Sequence, residues 1–337
     1  MTGSTNAVEV AAGIHRIAVP TPFIVGRVNT YLFEGEPLTL LDTGPNSGTS
    51  LDGLEQALLS RGHEIDDIGR VLISHQHVDH AGLAAIIKRR SGAEIVMLDR
   101  LAPALADWPA AAQRDDDVAA SLMRQSGLPD DLITALAAVG RSYRAFGASV
   151  ETDRTISDGE TIEIGGRRME VMHRPGHSPS DTVLHDREGR LLVAADHLLE
   201  RISSNPLISA PLPGEESDGG RPRPLPTYLE HLRETRELEV DLVLPGHGDE
   251  FGDHRAVIDD RFAMHERRAA KLRDAISDRP KTAFELAFEL WGQLAVAQAY
   301  LTLSEVFGHM DLLVDQGEVI EMPPDDKGVV RFTPSGS

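Results

Sequence analysis

Cysteine is absent from all 337 residues of this chain. Disulfides and thiolate metal ligands are thereby excluded, so any metal must be held by imidazole and carboxylate groups. Positive charge is also scarce: 33 Lys and Arg face 54 Asp and Glu, for a net charge of −21. Polyanion-binding surfaces carry a basic footprint, so nucleic acid and anionic membrane are not expected partners. No run approaches the roughly 20 apolar residues that a transmembrane helix needs. Residues 1–14 show neither the basic segment nor the apolar core of a signal peptide, and a soluble, cytoplasmic protein is the expectation.

Hydrophobic content of 41% and charged content of 26% are those of an ordinary globular protein with a well-buried core. Histidine is concentrated in one place, the stretch His75-Gln76-His77-Val78-Asp79-His80. The apolar run Val71-Leu72-Ile73 before it reads as a buried strand, and a helical pattern begins near Ala81-Gly82. In extended chain alternate residues share a face, so His75 and His77 project together while Asp79 and His80 come round on the following turn. One loop can therefore feed two adjacent metals.

The flanking pattern is that of a layered α/β core. Short strands broken by turns over residues 8–42 predict an antiparallel meander, followed by a helix over 48–62 and a strand over 94–98. Asp42, at a strand end before Thr43-Gly44, has two readings: a turn residue, or a carboxylate bracing the metal loop. Within 101–148 the residues Leu132, Leu136, Val139, Tyr143 and Phe146 recur at helical spacing, which predicts a helical cap leaning over the site with an apolar underside. Further on, Arg174-Pro175-Gly176-His177-Ser178 presents one imidazole. The strand 191–195 delivers Asp196 and His197, and Pro245-Gly246-His247-Gly248 follows the strand 241–244. His75, His177, Asp196 and His247 thus each lie just past an apolar run, where open sheets put their sites. Residues 211–226 read as an exposed loop, with a helix near 227–238. The other eight histidines (His15, His63, His173, His185, His231, His254, His265 and His309) are expected on solvated or helix surfaces with no partner at ligand spacing.

Past 253 the pattern is three helices (255–276, 282–291, 298–316) and a hairpin around Pro323-Pro324-Asp325-Asp326-Lys327-Gly328, which suggests a small winged-helix-like domain. Its third helix carries Glu305, Asp311 and Asp315 and no Lys or Arg. A DNA reader needs donors there, so packing or homodimer formation is the expected role.

Together Leu41-Asp42-Thr43-Gly44, His75 to His80, Pro175-Gly176-His177-Ser178, Ala195-Asp196-His197 and Pro245-Gly246-His247-Gly248 resemble, in order, the motifs of the metallo-β-lactamase superfamily, and specifically its glyoxalase-II-like hydrolases. The resemblance covers about residues 10–254. It implies a four-layer αββα sandwich over 1–254, with the cap insertion at 101–148 and the winged-helix-like α+β domain at 255–337. It further implies two divalent metal ions, zinc first, with iron or manganese as alternatives. His75, His77 and His177 would hold one ion, Asp79, His80 and His247 the other, and Asp196 would bridge them, with Asp79 also the expected catalytic carboxylate. The implied reaction is hydrolysis of a small acyl thioester or ester by a hydroxide shared between the metals. His197, Arg201, Ser203 and Asn205 are candidates to contact substrate, His197 as an acid. The absent cysteine excludes family branches with a Cys ligand. The short span from Asp196 to His247 leaves no room for the large domain inserted in the nucleic-acid-processing branch. An endoribonuclease of the winged-helix type and a lactonase or β-lactamase-like activity are the competing expectations.

Overall fold

The computed structural model describes residues 6–215 and 220–336. Its first sheet grows in chain order: β1 (Ala7–Ala11), β2 (Ile14–Val19), β3 (Val28–Phe33), β4 (Thr39–Leu41), β5 (Arg70–Ile73), β6 (Glu94–Leu98) and β7 (Arg154–Ile156). The first four strands pair antiparallel, which is the expected meander. From β4 to β7 the pairing is parallel, as it must be once helices cross over between strands. Those crossovers are α1 (Gly48–Leu59), then α2 (Val78–Ala81) with α3 (Ala84–Ser91), then α4 (Ala102–Ala106), α5 (Trp108–Gln125) and α6 (Asp130–Tyr143).

The turn at Asp158-Gly159 carries the chain into the second sheet, made of β8 (Thr161–Ile164), β9 (Arg167–His173), β10 (Thr182–Asp186), β11 (Leu191–Ala195) and β12 (Leu242–Pro245). The last of these runs parallel to β11 after the crossover α7 (Pro224–Arg236). Alternation along β11 shows the two faces of this sheet. Leu191 and Val193 join Ile17, Leu40, Val71 and Ile95 between the sheets, whereas Leu192 and Ala194 pack with Tyr228, Leu229 and Leu232 of α7. Leu54 and Leu58 of α1 and Ile87 of α3 close the first sheet. The result is the expected order of four layers, helix, sheet, sheet, helix.

Sequence and structure part company in three places. The expected loop 211–226 ends earlier, because Pro224 opens α7 at a position where its missing N–H costs nothing; residues 216–219 of that loop lie outside the described residues. The boundary at 254 falls at the start of α8 (His254–Ala275), which both parts share: Ile258 packs with the α7 layer, and Ala269, Leu272 and Ile276 pack with the tail. The tail continues with β13 (Lys281–Thr282), α9 (Ala283–Trp291), α10 (Leu294–Ala297), α11 (Ala299–Asp315), β14 (Val319–Glu321) and β15 (Arg331–Pro334), its sheet ordered β13-β15-β14. Third, the apolar stripe of α6 is divided. Leu132 and Leu136 pack into the cluster of Leu303, Phe307 and Phe332, while Tyr143 and Phe146 stack instead near Phe23 of the β2–β3 loop, at 5.7 and 5.4 Å between ring centroids. Val139 is more than half exposed, at 56%.

Candidate metal centre

Four ligand-type side chains enter from the first sheet and three from the second. β5 ends at Ile73, and Ser74 begins the loop that presents His75 and His77; the single turn of α2 then presents Asp79 and His80. His177 follows β9, Asp196 follows β11 and His247 follows β12. All seven converge, and all are 9% exposed or less apart from His77, which is partly buried. His77 Nδ1 lies 3.1 Å from His75 Nε2 and 3.0 Å from His177 Nε2. One ring nitrogen carries at most one proton and cannot satisfy two such neighbours, so these are lone pairs turned toward a common point. The carboxylate of Asp196 lies between the two halves, 3.5 Å from His177 Nε2 on one side and 3.5 Å from both His80 Nε2 and His247 Nε2 on the other. Asp79 Oδ2 is 3.4 Å from His247 Nε2. The groups fall into overlapping triads: His75, His77 and His177; His75, His80 and Asp196; Asp79, His80 and His247.

The opposite ring nitrogens fix the tautomers. His80 Nδ1 donates to Asp42 Oδ2 at 2.7 Å, and His247 Nδ1 donates to the carbonyl of Arg27 at 2.8 Å. Ser74 Oγ gives its proton to Asp42 Oδ2 at 2.7 Å, so it accepts from His75 Nδ1 at 2.9 Å. In each ring Nδ1 is thereby committed, and Nε2 is the atom that faces the centre and can hold either a proton or a cation. Asp42 makes these bonds from a left-handed backbone conformation (φ 58°), a strained position that its anchored side chain compensates. His80 Nε2 and Asp196 Oδ1 are buried without a hydrogen-bond partner. An imidazole and carboxylate set with unspent lone pairs fits a divalent cation of the zinc, iron or manganese class.

Electrostatics divide the site in two. Burial and the neighbouring imidazoles hold His75 well below the ordinary histidine range and His77 down to about 3, both neutral and able to coordinate. Burial opposes charge on Asp196 as well, but His247 and His80 outweigh it and hold the carboxyl well below its usual range. Burial would likewise lower His247, yet Asp196 and Asp79 push it up to about 10. The acidic half thus has its negative charge matched by protons on His80 and His247, which a cation would displace.

The two sheets are tied together directly beside this cluster. Asn29 of β3 donates its backbone N–H to Gly246 O at 2.7 Å and its side-chain amide to Pro245 O and Gly248 O at 2.9 and 2.8 Å. Tyr31 Oη donates to Pro245 O at 2.8 Å. Two glycines near the ligands leave no room for a side chain. A Cβ on Gly246 would land on Asp196 Oδ1, and one on Gly176 would lie 2.7 Å from Tyr228 Cα.

The candidates for substrate contact bond to groups outside the cluster. Just past the end of β11, His197 turns toward the α7 layer, with Nε2 2.9 Å from Thr235 Oγ1 and its ring against Tyr228. Asn205 donates to Leu301 O on α11, the exposed Arg201 lies 3.4 Å from Glu200 and 3.7 Å from Asp249, two residues past His247, and Ser203 Oγ lies 3.4 Å from the Ser204 carbonyl. Two supports of the centre escaped sequence reasoning: Ser74, whose only signal is adjacency to the motif, and the Arg27 carbonyl, which has no residue-type signal at all. The reading of the remaining histidines is also corrected. His15, His185, His254, His265 and His309 are buried, and His265 Nδ1 stands 3.1 Å from His309 Nε2.

A family model of the metallo-β-lactamase superfamily matches residues 24–247. The chain is 33% identical to a probable metallo-hydrolase, YqjP, of Bacillus subtilis over 88% of its own length and 91% of that protein's. It is 26% identical to the human acyl-coenzyme A thioesterase MBLAC2 over 68% of this chain and 76% of that one. Among solved structures, a β-lactamase domain protein from Burkholderia ambifaria superposes with a TM-score of 0.82 at 27% identity, covering 99% and 96% of the two chains.

Proposed function

The chain belongs to the metallo-β-lactamase superfamily and is a metal-dependent hydrolase, and from that premise we propose that it cleaves a small acyl thioester or ester at a centre of two divalent ions. The observation that carries this is Asp196, set between two groups of lone pairs that face one another across its carboxylate. His75, His77 and His177 would hold one ion, Asp79, His80 and His247 the other, with Asp196 shared. Bound there, such a pair supplies a Lewis acid for a carbonyl oxygen and lowers the pKa of water towards about 7.

The chain's own groups select the substrate class. Burial opposes charge on Asp79, but His80 and His247 outweigh it and hold the carboxyl below its usual range, so it is not a proton donor at neutral pH. His197, the acid that the sequence offered, is bonded instead to Thr235, which speaks against that role. A leaving group must then depart without a proton from the protein. Thiolates do this readily, since a thiol pKa is about 8.5, whereas an amide nitrogen does not. A thioester is therefore favoured over a β-lactam, and the name of the human relative points the same way. The acyl part would lie against the narrow groove beside Gln76 formed by Leu105, Trp108 and Ala111 of α4 and α5 and by Leu212. Endoribonuclease action has weaker support, because α11, the tail's third long helix, buries most of its surface within the protein.

A panel of acetyl and hexanoyl thioesters, an activated ester, a penicillin and single-stranded RNA tests the proposal on zinc-loaded protein. Thioesters should turn over fastest, Asp79→Asn should lose at least about 10³-fold, and Trp108→Ala should raise KM for hexanoyl more than for acetyl substrates. Faster turnover of penicillin or RNA than of any thioester would overturn it.

A further inference from the structure

Outside the hydrolytic centre, the described residues contain one more convergence of ligand-type groups: His265 on α8 with Glu305 and His309 on α11. The spacing of Glu305 and His309 is one helical turn, which sets both on the face of α11 that meets α8. All three are buried, at 2%, 7% and 0% exposure. We propose that this trio is a separate binding site for a single divalent cation of the zinc class, joining α8 to α11.

The geometry repeats, group by group, what the hydrolytic centre shows. The separation of the two imidazole nitrogens, 3.1 Å between His265 Nδ1 and His309 Nε2, matches that of His75 and His77. His309 Nδ1 donates to the Glu305 carbonyl at 2.7 Å, as His247 Nδ1 does to the Arg27 carbonyl, and its Nε2 is thereby the bare nitrogen. Glu305 adds a carboxylate, and the three ligand atoms lie within 4.8 Å of one another. Arg268 pairs with Oε1 of that carboxylate, which lies 3.8 Å from His309 Nδ1. The site differs from the hydrolytic one in function: it holds one ion among three protein ligands, the carboxylate is already half spent on Arg268, and its place between two helices suits a cross-link.

Zinc content of the full chain after dialysis against zinc-free buffer, compared with that of His265→Gln and His309→Gln, tests the site. Each variant should bind one equivalent fewer than the parent while hydrolysis of the acyl substrate stays within about two-fold. Equal zinc content in all three proteins would overturn the proposal. Anomalous scattering at the zinc edge from crystals of the unaltered protein gives a second readout that needs no variant to fold. A peak bounded by His265, Glu305 and His309 is expected in addition to those at the hydrolytic centre. Peaks at the hydrolytic centre with none between α8 and α11 would overturn the site, and a peak between α8 and α11 alone would uphold it while removing the two-ion reading of the hydrolytic centre.

Discussion

A Cβ on Gly246 would land on the carboxylate of Asp196 and lie only 2.9 Å from His80 Cε1. Replacing this glycine with alanine should push Asp196 out of line with both groups of imidazoles. Gly246→Ala is expected to fold, to lose zinc in a competition titration, and to lose kcat/KM by about 10²-fold or more, as 1 Å displacements in preorganised sites do. Wild-type zinc affinity in that variant would show that the site yields where the geometry says it cannot. At this scale the legible residues were those whose chemistry is unusual in itself. Three imidazoles and a carboxylate in six positions announce a site, and a lone His or Asp at a strand end adds to it. Ser74 and the Arg27 carbonyl act just as closely on the rings, but serine is ordinary and a carbonyl belongs to every residue. His265 and His309 were missed for another reason: no motif joins residues on two helices so far apart in sequence.

Helices with two faces to bury defeated the sequence pattern more than strands did. The 3.6-residue repeat in α6 gave the helix correctly, but a repeat names no partner, and the stripe is shared between the tail cluster and Phe23. The helix before it, α5, is tied to the loop that borders the proposed acyl groove through Asp115, whose Oδ1 accepts from Ala210 N at 2.9 Å. Burial pushes that carboxyl up to about 6. Between pH 4 and 6 the folded chain therefore keeps a proton that the unfolded chain has released, so this group lowers stability as pH rises through that window, and the loss is complete above it. Asparagine keeps the acceptor without the charge. Asp115→Asn should raise the unfolding free energy by about 1–2 kcal/mol at pH 8 and leave it unchanged at pH 4, read from urea melts at the two pH values. An equal gain at both would assign the effect to something other than ionisation.

For the molecule as a whole, alternating strands and helices were legible because the apolar runs were short and bounded by turns, and the four layers followed from the resemblance of the motifs at four strand ends. The sharing of α8 between sandwich and tail was not legible, since a helix of 22 residues carries no mark of where one partner ends. Net charge acts at this scale as well. A chain at −21 repels an anionic substrate at long range, and salt screens that repulsion within about 10 Å at 0.1 M. Raising ionic strength from about 20 to about 200 mM should increase kcat/KM several-fold for a polyanionic thioester and leave it unchanged for a neutral one. A decrease for the anionic substrate would reveal a positive entrance overriding the global field.

The bonds from Asn29 and Tyr31 to the Pro245–Gly248 turn have a consequence for how tightly the ions are held. Since four proposed ligands ride on one sheet and three on the other, each half presents its lone pairs to the other at an effective concentration fixed by that seam. A change at Asn29 touches no ligand, yet it would dilute one half-site relative to its partner, making ion occupancy a gauge of how well the two sheets stay in register.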